Sequence, residues 1–133
     1  MNVLITNIGR RIYFVDFLMD LKKNFKDLNI HLANNDPFSS VLSYKKTKIH
    51  KIPLIAHGSK KYINAIKNIV LKNKINLIIP TTKYDLKILS LNKEKLKLYN
   101  CEVLVSSYNL IKKLLNKESS YFLCKKKNIK NSK

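Results

Sequence analysis

Hydrophobic positions along this chain switch back and forth between two periods. Val3-Leu4-Ile5, Ile30-His31-Leu32-Ala33 and Ile75-Asn76-Leu77-Ile78-Ile79 are short, nearly unbroken apolar runs. That is the pattern of strands covered on both faces. Glu102-Val103-Leu104-Val105 adds another strand, and Lys48-Ile49-His50-Lys51-Ile52, alternating and closed by Pro53, reads as an exposed edge. Between the strands, apolar residues recur every three or four positions, as on one face of a helix. Phe14, Phe17, Leu18, Leu21 and Phe25 define a helix running to about Lys26. Tyr62, Ile63, Ile66, Ile69 and Val70 define a second, opened by Ser59 and ending near Asn73. Leu86, Leu89 and Leu96 mark a third, and Leu110, Ile111, Leu114 and Leu115 a fourth behind the capping pair Ser106-Ser107. A last helical stretch covers roughly 117–127. Asn34-Asn35-Asp36-Pro37 is turn chemistry, with Asp36 either the cap of a short helix from about Phe38 to Tyr44 or a polar group at the end of the second strand, where dinucleotide-binding folds place an acidic residue against ribose; the cap is the favoured reading.

Strand and helix alternate five times, which selects a Rossmann-like three-layer α/β fold: a parallel sheet of four to five strands, helices on both faces and right-handed crossovers. All 133 residues fit one domain. With the first strand central, the second on one side and the fourth on the other, a crevice opens between the turns that follow strands one and four. The first of these turns is Thr6-Asn7-Ile8-Gly9-Arg10-Arg11 and the second runs from Pro80 to Asp85. Gly9 lets the backbone reverse, and Arg10 and Arg11 stand in the first helical turn, where the helix dipole does not favour cations. Two guanidiniums facing Thr81, Thr82 and Asp85 describe a site for a small charged molecule. The turn has no GxGxxG, so a dinucleotide is not expected.

Composition changes this picture less than its numbers suggest. The net charge is +19, from 27 basic and 8 acidic residues. All the basic residues except Arg10 and Arg11 are lysines, scattered over solvated helix faces, and no basic-plus-aromatic strand signature accompanies them. Specific nucleic-acid binding is therefore not expected. Apolar runs are too short to cross a bilayer and no secretory signal opens the chain, so the setting expected is cytoplasmic. Cys101 and Cys124 lack metal-ligand spacing and read as reduced packing residues; His31, His50 and His57 share no spacing and read as packing or surface residues.

Three stretches together carry a resemblance: Thr6-Asn7-Ile8-Gly9-Arg10-Arg11, Asn35-Asp36-Pro37 with Tyr44 following, and Leu77-Ile78-Ile79-Pro80-Thr81 leading into Val103-Leu104-Val105-Ser106-Ser107. In their order and spacing, over essentially the whole chain, they resemble the N-terminal pre-ATP-grasp domain of ATP-grasp ligases, most closely the carbamoyl-phosphate synthase large chain-like group. The resemblance implies an enzyme that phosphorylates a carboxylate with ATP and magnesium and lets an amine attack the acyl phosphate. It implies that Gly9, Arg10, Arg11, Thr81, Thr82 and Asp85 form a substrate wall. Lys117, in Asn116-Lys117 where the family shows Asp-Lys, would approach the phosphates of ATP. Three departures each remove negative charge: Asn34 before Asp36-Pro37, Lys83 after Pro80-Thr81, and Asn116 beside Lys117.

The resemblance places catalysis in ATP-grasp domains beyond this chain, supplied in cis or by a split-gene partner. On that reading the domain holds a small anionic substrate, binds neither ATP nor magnesium firmly by itself, and is not expected to catalyse alone. The alternative is a stand-alone Rossmann-type module that binds a small ligand or nucleotide. No membrane partner is expected, and the choice between monomer and homodimer stays open.

Overall fold

In a computed structural model, which describes residues 1–9, 11–36, 39, 47–55 and 59–126, the chain forms one five-stranded sheet. The strands are β1 (Asn2–Thr6), β2 (Asn29–Asn34), β3 (Lys48–Lys51), β4 (Leu77–Pro80) and β5 (Glu102–Val103). Their order is β3-β2-β1-β4-β5 and every pairing is parallel. β1 is central, with Val3 opposite both Ile30 and Leu77. The strand order therefore reverses beside β1, as the alternating pattern requires. The short helix expected near Phe38 to Tyr44 lies outside the described residues, as do Arg10 and His57.

Alternation of side chains along the strands divides the core in two. Leu4, Ala33, Ile78 and Val103 face α2 (Ser59–Asn73) and α3 (Lys83–Lys97), whose Tyr62, Ile66, Ile88 and Leu89 complete one cluster. Val3, Ile5, Ile30 and Leu32 face the other way, toward Val15 and Leu18 of α1 (Ile12–Asn24). Helices α4 (Tyr108–Leu114) and α5 (Lys117–Lys126) follow β5.

Several burial expectations are corrected. On α1 the buried residues are Val15 and Leu18, whereas Phe17 and Phe25 are 56% and 62% exposed. An aromatic stripe at helical spacing marks a helix, but which adjacent stripe meets the sheet is set by how the crossover lands. On α4, a helix of 7 residues and so about two turns, only Ile111 is buried. Ser59 is the first residue of α2 rather than its cap, and Ser107, at the N-cap of α4, makes no side-chain cap bond.

Amides hold the amino end of the sheet. Asn2 donates from Nδ2 to Asn73 O at 2.8 Å and Lys74 O at 3.1 Å, and its own Oδ1 accepts from Asn29 Nδ2 at 2.9 Å. Asn76 Oδ1 accepts from the Asn2 backbone N–H at 2.8 Å. These amides tie β1, β2 and the entry to β4 together, and the Met1 ammonium adds a bond to Asp27 O at 2.7 Å.

Candidate functional site

The turn after β1 contains two residues with positive φ, Asn7 at 48° and Gly9 at 59°. Asparagine is the side-chain-bearing residue that adopts this region most readily. Its backbone N–H donates to Ala33 O at 2.7 Å, which fastens the turn to the end of β2. Ser39 Oγ donates to Gly9 O at 2.8 Å from the far side.

The turn after β4 is shorter than the Pro80 to Asp85 segment expected. Thr82 is the N-cap of α3 and accepts from the Asp85 backbone N–H at 3.4 Å, so Lys83, Tyr84 and Asp85 already belong to the helix. Thr81 Oγ1 lies 2.8 Å from both Thr6 O and Asn7 O, bonding the second turn to the first.

Asp85 is the centre of the arrangement and is fully buried. Its Oδ1 accepts from Tyr62 Oη at 2.8 Å and from Asn7 Nδ2, while its Oδ2 accepts from Thr6 Oγ1 at 3.0 Å. Three donors from β1, its turn and α2 thus converge on one carboxylate from α3, which is how a charge is retained in an apolar interior. Burial, followed by the Asp85 charge, pushes the Tyr62 hydroxyl well above the ordinary tyrosine range. Tyr62 therefore stays a donor throughout the accessible pH range. The Asn7 amide is oriented by its bond to Asp85, since the flipped amide would set oxygen against oxygen. That orientation leaves Asn7 Oδ1 buried with no hydrogen-bond partner. An orphaned acceptor of this kind costs about 1–3 kcal/mol.

Of the residues expected to line the crevice, the structure brings Thr81 and Asp85 against Thr6, Asn7 and Tyr62, and Thr82 caps the helix that carries Asp85. Arg11 is half-buried at the N-cap of α1, with Nη1 directed to Ile8 O at 3.4 Å. Arg10 lies outside the described residues. Lys117 is exposed in the first turn of α5, where Asn116 Oδ1 accepts from the Ser119 N–H at 3.0 Å as the helix cap. Asparagine and aspartate cap equally well, so the Asn116 departure preserves the local fold while removing a charge.

Sequence reasoning missed Thr6, Asn7 and Tyr62. The signals were an asparagine two residues before a turn glycine, and a hydroxyl inside an isoleucine stripe. His31 and His50, read as isolated, are hydrogen-bonded to each other across β2 and β3. Cys101 and Cys124 are free, and burial pushes the Cys101 thiol up to about 11.

Among the described residues no group of three or more His, Cys, Asp or Glu could hold a metal ion. With Asp85 already accepting from three donors and no such group around it among the described residues, this arrangement does not fit a magnesium ion. No described helix is long and apolar enough to cross a membrane.

A five-stranded parallel sheet whose strand order reverses beside its central strand defines a Rossmann-like fold. Its family is narrower: residues 3–104 match the model of the PylC-like N-terminal domain, and the chain belongs to that family, a pre-ATP-grasp domain. Among solved structures the chain is similar to the biotin carboxylase domain of a thermophilic 2-oxoglutarate carboxylase, determined with bicarbonate. The two superpose with a TM-score of 0.59 at 13% identity, over 96% of this chain and 28% of that one. This chain thus spans little more than a quarter of the structure it matches. A comparison with curated protein sequences gives no match.

Proposed function

We propose that this chain is the N-terminal, substrate-side domain of an ATP-dependent carboxylate–amine ligase of the carbamoyl-phosphate synthase-like type, which works through an acyl phosphate. The observation that carries this reading is the family match over residues 3–104. The crevice geometry supports it, because both turns are fixed by hydrogen bonds while the first retains a guanidinium at its rim. Gly9, Arg10 and Arg11 hold an anionic group of the substrate, for which the planar two-pronged guanidinium is suited. Thr81, Thr82 and Asp85 act indirectly, by fastening the turns that present those residues. Lys117 approaches the phosphates of ATP bound by ATP-grasp domains, in cis or on a partner chain. ATP and magnesium belong to those domains, and the present domain is inactive by itself.

Titration calorimetry with backbone-amide NMR tests the proposal on the 133-residue chain. Carbamoyl phosphate, dicarboxylates and amino acids are expected to shift the Gly9 and Arg11 amides, with roughly tenfold weaker binding in Arg11→Gln, a loss of about 1.4 kcal/mol. ATP with magnesium is expected to give no saturable heat. Saturable nucleotide binding in the crevice would favour a stand-alone nucleotide module, and anion shifts unchanged by Arg11→Gln would remove the substrate-wall role.

A further inference from the structure

A groove between α3, the residue that ends α4 and the start of α2 carries chemistry that the buried network does not use. Ile55, Ile88 and Leu115 line it together with Tyr84 and Leu91, and its charged lining residues are Lys83 and Lys87. Its volume is about 500 Å³. Tyr84, Leu91 and Leu115 are 61%, 53% and 40% exposed, so three large apolar side chains are held in water within one concavity. Positions 84, 87, 88 and 91 form one stripe along α3 at spacings of three and four, which makes the groove as straight as the helix that lines it. Lys83 Nζ lies 5.2 Å from the centre of the Tyr84 ring, so a positive charge is held beside the apolar strip.

Shape and charge together restrict what can lie there. A straight, shallow groove between helices with apolar contacts at helical spacing fits an amphipathic helix better than a compact small molecule, which would leave Tyr84 and Leu91 wet. The lining charges are both positive. A second copy of a chain carrying +19 would bring like charge to them, whereas an acidic partner would neutralise them.

We propose that this groove docks an acidic amphipathic helix of a protein partner. Leucine-type side chains spaced three and four apart would fill the strip between Tyr84, Leu91 and Leu115, and flanking carboxylates would meet Lys83 and Lys87. Asp85, the residue after Tyr84 on α3, is turned inward and fully buried, so the groove and the buried network use different side chains of that helix.

The probe is a synthetic helix of about 16 residues, roughly four turns, with leucines on one face and glutamates on its flanks; a twin carries lysines instead of the glutamates. Amide shifts of the intact chain are expected at residues 83–91 and 115 with the acidic helix only. Leu91→Asp, an exposed position that leaves the core intact, should weaken binding roughly tenfold, and Lys83→Glu with Lys87→Glu should reverse the preference toward the basic twin. Equal binding of both helices, shifts confined to other surfaces, or a short-chain fatty carboxylate binding where the acidic helix does not would each overturn the proposal.

Discussion

His31 and His50 share one hydrogen bond in one plane: His31 Nδ1 lies 2.9 Å from His50 Nε2 and the ring planes differ by 1°. The ring centroids are 5.2 Å apart, which exceeds the nitrogen separation by about the width of one ring. The imidazoles therefore lie end to end and not face to face, with one donating and the other accepting. The pair joins the edge strand β3 to β2 and cannot survive if both rings are fully protonated.

That relationship sets a pH dependence. Burial, then the His50 and Lys48 charges, lowers His31 to about 4; burial, then Lys48 and Lys72, lowers His50 as well. The folded chain thus binds fewer protons than the unfolded one between pH 6.5 and about 4. Stability is expected to be full above the unfolded value and to fall as pH drops through this window. Urea midpoints measured from pH 7.5 to 4 check this, and His31→Gln with His50→Gln should flatten the curve.

Asp85 and Tyr62 define the second expectation. Asp85→Asn puts an amide N–H₂ among three donors and should cost about 2–4 kcal/mol in chemical denaturation. Tyr62→Phe removes one donor and should cost about 1–2 kcal/mol. Combined, the two should fall short of their sum, since once the carboxylate is gone the hydroxyl has less to satisfy. Strict additivity would show that the network is not coupled.

Gly9 is at φ +59°, and a Cβ added there would meet Arg11 Nη1 and Asn7 O, both at 3.8 Å, in ordinary contact. Gly9→Ala should therefore cost only the backbone term, about 1–2 kcal/mol, while Gly9→Val should cost more. Thermal melts of the two variants provide the comparison.

The cap of α5 separates local from electrostatic roles at Asn116. Asn116→Ala should lower stability by about 1 kcal/mol, whereas Asn116→Asp should leave it nearly unchanged. Circular dichroism melts read the difference.

Local pattern made most of the fold legible. Apolar runs located all five strands, and the turn chemistry around Gly9 and Pro80 located the two turns that the structure joins through Thr81, because these signals lie within a few residues of one another. The polar network was not legible in the same way. Thr6 and Asn7 find Asp85 at separations of 79 and 78 residues, and no short-range pattern encodes such a meeting. The misjudged faces of α1 and α4 have a related cause: periodicity identifies a helix, while the neighbours that bury one stripe over another are tertiary.

The central place of β1 also bears on how the chain folds. Asn2 and Asn76 are bonded although 74 residues apart in sequence, so the middle of the sheet cannot close until β4 exists. At about 5–20 residues per second of synthesis that interval is roughly 4–15 s, during which β1 has only its β2 side occupied. A sheet whose central pairing is so distant in sequence is expected to fold slowly for its size, and conditions that shield the exposed edge of β1 should raise its yield on refolding.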